Sequence, residues 1–461
     1  MFEQLLKYNR PSYLFGIHLA IGIGCLFSSW VLISWIYFIV FTNVNRIFKT
    51  RNPFQAIALI TYILSFEVFA RMVFTSPYIP YEISKYVLVF GLAFFILRGR
   101  FDNNIGWLML VLILPGLLYD ESDSATFQNI VFNSFGPIAI SLAIIYFKAV
   151  TITFDQLISL LRLILLPLSA CLIYVYFRTP DYDEINFNLS ANFDTTGGFG
   201  SNQVSTILGL GGLLSLIFII FRWPLTGYRI ADVALFFLFS FQGLLTFSRG
   251  GMIGMGLGIL VLVYMLTKSG IIVKSKYRIP DFASYLFPLI FIGTFAFQIA
   301  DSITGGNLSL RYQGETYGTT VGAREKDLNV ITTNRYNIFL EDVALFTEYG
   351  WLGVGVGASK YLREGEVDEG TAAHVELSRL IAEHGIFGIG YFILLVLLYY
   401  LYIQPIRHPV HKALAAALFV LALYTTFHAA TRTFVTPLLI GLSMLNVQFR
   451  EDETPAPVSG K

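Results

Sequence analysis

Apolar residues run in long blocks along almost the whole chain, separated by short polar breaks. A bilayer core of about 30 Å takes about 20 apolar residues in one helix, and fewer where flanking side chains reach the headgroups. By that measure the pattern predicts spans near 13–27, 29–44, 54–73, 83–98, 104–119, 132–149, 156–177, 202–221, 231–248, 250–267, 282–299, 386–404, 411–428 and 433–448. The run Tyr13–Val44 is long for one span and short for two, so the expected fold is an all-α polytopic transmembrane bundle of about 12–14 spans. No independent soluble domain is left over; residues 1–461 read as one integral membrane domain, with 449–461 as a cytoplasmic tail.

One break is far longer than the rest, from Ala300 to Gly385. Structureless loops beyond about 15 residues are usually functional or disordered, and this one carries helix signals. "TTNRYNIFLEDVALFTEYG" starts at Thr and Asn, spaces apolar residues at Ile338, Phe339, Val343, Leu345 and Phe346, and stops at Gly350. "TAAHVELSRLIAEHG" runs from Thr371 to Gly385, with Leu377, Leu380 and Ile381 on one side and Arg379 with Glu383 spaced for an i,i+4 pair. Both patterns fit short amphipathic helices lying over a membrane face. "GVGVGASK" between them lacks the spacing of a nucleotide-binding loop and reads as a turn-rich connection.

Charge decides orientation. With two spans in 13–44 and the N-terminus inside, the breaks "NRIFKTRN", "LRGRFDNN", "FRWPLTGYR", "TKSGIIVKSKYRIP" and "QPIRHPVHK" fall on one side, each carrying Lys or Arg. The positive-inside rule makes that side cytoplasmic and puts the long loop outside. Residues 301–385 hold seven Arg or Lys against thirteen Asp or Glu, so each arginine there needs its own reason. Composition supports the membrane reading: 55% hydrophobic, 16% aromatic and only 13% charged residues, against about 25% charged in soluble domains. A net charge of +1 argues against a nucleic-acid partner. The two cysteines, Cys25 and Cys171, fall inside apolar runs and read as packing residues. The N-terminal run lacks a small-residue cleavage site and reads as a retained first span.

Arg249 stands in "TFSRGGMIGMGLGIL", where Gly250, Gly254, Gly256 and Gly258 permit close helix approach. Taken alone it serves equally as a snorkelling anchor or a ligand contact. Arg432, in "FHAATRTFVTP", reads first as an interfacial anchor, with His428 one turn earlier on the same helix or nearly so. His374 falls in the first turn of its expected helix, where the dipole favours a neutral imidazole able to take a hydroxyl proton or to donate to a phosphate oxygen, although a lone surface histidine is more often inert. His384 precedes a helix-ending glycine and reads as a cap. Arg335 opens the earlier loop helix, where the dipole opposes a cation unless an anion is bound. Arg311 and Arg324 are either phosphate contacts or solvated. No HExxH, EF-hand or carboxylate cluster appears, so no metal or other cofactor is implied.

"SRGG" at a span end, a long external loop with an arginine followed by "WLGVGVG", and then "AAHVELSRLIAEHGIFGIGYF" leading into the next span resemble the O-antigen ligase and polymerase superfamily. The resemblance covers about residues 200–445, in order, and rests on the ordered set of motifs. It implies a GT-C-like membrane glycosyltransferase whose external loop covers a membrane cavity. There an undecaprenyl-diphosphate-linked glycan passes to an acceptor hydroxyl, inverting and without metal. Carried over, the arginine of the S-R-G-G turn is Arg249, the arginine opening the loop helix is Arg335, and the loop histidine is His374; Arg311, Arg324 and Arg432 are further candidate diphosphate contacts. Ligases tend to carry Asn, Ser or Gln after the histidine and Leu four residues after it, whereas this chain has Val375 and Ser378. Glu383, Gly385 and Gly388 do match, so the superfamily is better supported than the ligase label.

The expected function is therefore transfer of the lipid-linked glycan at the periplasmic face of a bacterial inner membrane. The acceptor is the lipid A core for a ligase, or a growing glycan for a polymerase working with a chain-length regulator, or a protein hydroxyl. Membrane lipids are the other expected partner. A transporter or flippase is the reading from a different class, and Glu67, Arg71 and Arg162 in or near spans leave room for it.

Overall fold

A computed structural model describes residues 11–50, 52–99, 101, 103–268, 282–363 and 375–449. The described residues are 74% helical. The run at 13–44 forms two helices, α1 (Pro11–Gly24) and α2 (Trp30–Thr50). Asn52 caps α3 (Pro53–Leu64) by accepting from the Phe54 and Gln55 amides, and Pro53 supplies a preset φ at its first turn. A short break separates α3 from α4 (Glu67–Met72). There follow α5 (Ile83–Leu97) and α6 (Asn104–Ile113), then α7 (Phe127–Lys148), capped by Thr126.

The central helix is α8 (Phe154–Arg178), set by a reciprocal cap between Thr153 and Gln156. Almost every residue from Phe154 to Val175 is buried, as expected of a helix apolar on all faces and surrounded by others. After it come α9 (Ser201–Ile220), α10 (Arg229–Leu245), α11 (Arg249–Lys268) and α12 (Phe282–Ile303). The long loop contributes α13 (Asn307–Tyr312), α14 (Tyr317–Thr320), α15 (Leu328–Thr332), α16 (Arg335–Tyr349) and α17 (Ser359–Leu362). The chain closes with α18 (Glu376–Leu398), α19 (Pro409–His428) and α20 (Val435–Ser443).

Among the described residues seven helical stretches are long and apolar enough to cross a membrane: Pro53–Met72, Phe127–Lys148, Phe154–Arg178, Ser201–Ile220, Arg249–Lys268, Glu376–Ile403 and Pro409–His428. Five shorter apolar helices accompany them. Every expected span thus contains a helix, but the last differs from expectation. The segment 433–448 gives only nine helical residues before the chain extends as β2 (Asn446–Gln448) and pairs in parallel with β1 (Thr151–Thr153). Asn446 explains the stop: its side-chain amide donates to the Lys148 carbonyl at 2.7 Å and its carbonyl oxygen accepts from Lys148 Nζ at 3.2 Å.

The second loop helix also departs from expectation. It begins at Glu376, its expected start at Thr371 lying outside the described residues, and it breaks as expected at Gly385 (φ 57°, ψ −134°), where a second helical stretch follows directly to Leu398. Its expected polar side is buried: Glu376, Ser378, Arg379 and Glu383 face protein, so it does not lie amphipathically on a membrane surface. Arg379 pairs with Glu376 instead of Glu383, and Glu383 accepts from Ser359 Oγ at 3.0 Å. His384 is no cap; it is buried against Gly116.

The kink gives the glycine-rich connection a definite role. Val354 N donates to Ala382 O at 2.8 Å and Gly355 N to Glu383 O at 3.1 Å, satisfying carbonyls that a helix broken at Gly385 leaves open. Gly353 and Gly385 approach so closely that a side chain at either would collide with the other segment.

Candidate functional site

The site is built outward from α11. Gly251 meets the Ser205 backbone of α9, and Gly250 meets the His428 ring of α19; a Cβ on either would collide. Gly254 and Gly258 continue these contacts toward Tyr424 and Leu213, whereas Gly256, expected to pack likewise, has nothing within 4 Å of a Cβ. His428 in turn shares a hydrogen bond with Thr206 Oγ1 at 3.1 Å, tying α19 to α9. These close approaches fix the start of α11, whose first residue is Arg249; the turn before it is Thr246–Ser248.

That turn is held on both sides. Ser205 Oγ donates to the Ser248 carbonyl at 2.7 Å, Ser248 Oγ to Asn202 Oδ1 at 2.7 Å, and Thr195 Oγ1 to the Leu245 carbonyl at 2.7 Å. Arg249 then reaches the long loop, donating to the Ile331 carbonyl and, at 3.4 Å, to Thr333 Oγ1. Arg311 comes in from α13, buried, its Nε 3.4 Å from the Phe247 carbonyl. Asn307 anchors α13 by donating to the Phe187 carbonyl at 2.9 Å, and the Phe187 ring stacks on Phe247 at 5.7 Å.

Arg335 opens α16, as the sequence predicts. Thr333 and Asn334 before it both adopt left-handed backbone (φ 57° and 65°), and Asn329 Nδ2 holds Asn334 Oδ1 at 2.8 Å. This tight reversal turns the start of α16 back toward Arg249, and Asn334 suits it because its short amide tolerates that conformation. At the far end of α16, the buried Asp342 accepts from Arg363 Nε at 3.0 Å and Nη2 at 2.7 Å, which fixes the helix against the segment after α17.

The arginines therefore converge. Burial, then Arg249, then Arg335 push Arg311 down to about 10, which still leaves it charged at neutral pH. Arg335 is held below its ordinary value, chiefly by burial and further by Arg249, with Tyr424 opposing. Among the described residues no ion pair joins Arg249, Arg311 or Arg335 to a carboxylate; the pairs present are Glu67–Arg71, Glu315–Lys326, Asp342–Arg363 and Glu376–Arg379. Three partly or fully buried cations with no paired acid among the described residues make a region of positive potential, which favours an anionic occupant.

Arg432 stands at the edge of this group. α19 ends at His428, and Arg432 lies in the turn just beyond it. Burial pushes it down to about 10, with Arg379 adding, Glu376 opposing and Arg335 adding less. Beside it runs a buried polar network: Glu376 Oε2 accepts from the Thr431 amide and hydroxyl, both at 3.1 Å, and Arg379 donates to Asn133 Oδ1 at 2.6 Å. Glu67, raised above as a possible transport residue, pairs with Arg71 and accepts from the Phe434 amide at 2.7 Å. Arg162 is buried beside the Phe218 ring, 5.7 Å from its centroid.

Of the six residues singled out from sequence, the structure brings together Arg249, Arg311 and Arg335, with Arg432 near. Arg324 is not among them: it is exposed, its amide bonded to the Gly318 carbonyl at 3.0 Å in the turn after α14. His374 lies outside the described residues. Two tyrosines escaped the sequence reading. Tyr312, next to Arg311, and Tyr424, one turn before His428, both interact electrostatically with Arg249; only the adjacency of Tyr312 to Arg311 could have marked either. Among the described residues no three His, Cys, Asp or Glu side chains gather as a metal site would need. No protein-family model matches this chain, and no curated protein matches it.

Proposed function

We propose that this membrane protein transfers a glycan from a lipid diphosphate to an acceptor hydroxyl, in the manner of the O-antigen ligase and polymerase superfamily. The observation that carries it is the meeting of Arg249, Arg311 and Arg335, with no ion-paired carboxylate among the described residues, where the long loop docks on the start of α11. A diphosphate brings concentrated negative charge to the headgroup level, and arginine grips phosphate oxygens through paired, directed hydrogen bonds. When the glycosyl bond breaks, charge builds on the leaving diphosphate, so cations fixed there stabilise the transition state more than the ground state. His374 is assigned the general base that takes the acceptor proton, giving single displacement with inversion. The positive-inside rule sets the loop on the extracytoplasmic side, in a bacterial inner membrane on the superfamily reading. The acceptor is lipid A core or a growing glycan; the departures at Val375 and Ser378 keep polymerase beside ligase.

Single alanine substitutions of Arg249, Arg335 and His374 test this in cells, with membrane insertion verified. Loss of one charge-stabilising group is expected to cut transfer by about 10²–10³-fold. Lipopolysaccharide ladders and the undecaprenyl-linked pool separate the acceptors: long lipid-linked polymer that never reaches lipid A marks a ligase, and cores bearing at most one repeat mark a polymerase. Unchanged ladders and pools in all three variants overturn the assignment. Donor retained on the cytoplasmic leaflet would establish transport instead.

A further inference from the structure

Two polar atoms at the arginine cluster are buried with no hydrogen-bond partner among the described residues: Arg335 Nε and the Tyr312 hydroxyl. Buried polar groups in folded proteins are almost always paired, so two orphans beside one cluster call for a common explanation. Tyr312 ends α13 immediately after Arg311, and its ring packs edge-on against Phe297 with centroids 5.7 Å apart. That contact positions the ring but leaves the hydroxyl unused. The phenol interacts electrostatically with Arg249, Tyr424 and Arg311, so it shares their surroundings. Burial raises it above its ordinary value, and Arg249 and Arg311 lower it only in part, so at neutral pH it carries its proton and can donate.

We propose that the Tyr312 hydroxyl is a phosphate-oxygen donor of this site, binding a diphosphate group together with Arg249, Arg311 and Arg335. The proposal rests on the lipid-diphosphate reading above and adds a residue to it. Three guanidinium charges are matched better by two phosphates than by one. A phenol adds a directed hydrogen bond without adding to the repulsion among the cations. The same anion gives the Arg335 Nε orphan its acceptor.

The test uses the full-length protein in lipid nanodiscs with inorganic pyrophosphate as the probe, followed by calorimetry and thermal unfolding. Tyr312→Phe keeps the ring and its contact with Phe297 and removes only a hydroxyl that has no hydrogen-bond partner among the described residues. Its ligand-free Tm is expected to be unchanged or slightly higher, while its affinity for pyrophosphate falls about tenfold or more, as for a hydrogen bond to a charged group. Arg335→Lys, which keeps the charge and deletes the Nε donor, is expected to weaken binding as well. If Tyr312→Phe binds pyrophosphate as tightly as the parent while Arg335→Lys does not, the role of Tyr312 is overturned and the diphosphate site stands. A lowered ligand-free Tm with unchanged affinity makes Tyr312 a packing residue and equally overturns the proposal. Failure of the parent itself to bind pyrophosphate overturns both readings.

Discussion

At the scale of single residues, the glycines after Arg249 are not interchangeable. Gly250 faces the His428 ring so closely that a methyl group must displace it, while Gly256 faces open space. Gly250→Ala is therefore expected to lose about 1–3 kcal/mol through overpacking. Gly256→Ala should be neutral or gain up to about 1 kcal/mol from helix propensity. Thermal unfolding of the two variants in detergent checks the contrast, and equal Tm values would remove the close α11–α19 approach as the basis of the site. Sequence supplied the residue types here: arginine at a span boundary and glycines beyond it are legible in "SRGG". Which glycine meets which helix was not legible, because a small residue permits close approach without naming a partner.

At the scale of elements, the kink in α18 and the strap over it form one unit. The Val354 and Gly355 amides bind carbonyls of the last turn before Gly385, whose positive φ disfavours any side chain. Gly385→Ala adds that backbone strain, about 1–3 kcal/mol, to a collision with the Trp351 carbonyl. Faster hydrogen exchange at Val354 and Gly355 is the expected signature, whereas unchanged protection would show the strap to be held by other contacts. The sequence pattern located a helix stop at Gly385 because glycine commonly ends helices. It also placed the next span directly after that stop, and missed only that the freed carbonyls find donors more than 25 residues away, in a segment whose glycines look like simple turns. The helix opened by Arg335 was legible for the opposite reason: its start and stop signals are local.

At the scale of the whole molecule, the long loop, the turn before Arg249 and the turn after His428 meet at one end of the bundle, while the β1–β2 pair closes the other. On the positive-inside rule the loop end is expected outside, and labelling tests that expectation. Thr320→Cys, exposed on the loop, is expected to react with a membrane-impermeant maleimide on spheroplasts. Tyr228→Cys, exposed at the opposite end, should react only after permeabilisation. The native cysteines, at 5% and 0% exposure, give little background. Reaction of both positions from the same side would contradict the topology and remove the site from the extracytoplasmic face.

The sequence by itself determined the class of the molecule. Spans longer than a soluble core needs, with basic residues sorted between alternate breaks, are local properties, and so are the helix starts at Arg335 and the stop at Gly350. The tertiary structure alone decided which charges are compensated. Among the described residues Arg379, Arg71 and Arg363 find carboxylates, and Arg249, Arg311 and Arg335 do not. Nothing along the chain distinguishes these two sets, since pairing a buried charge depends on distance in space. Desolvation makes the difference matter, because an uncompensated cation held away from water is stable only where an anion is free to join it.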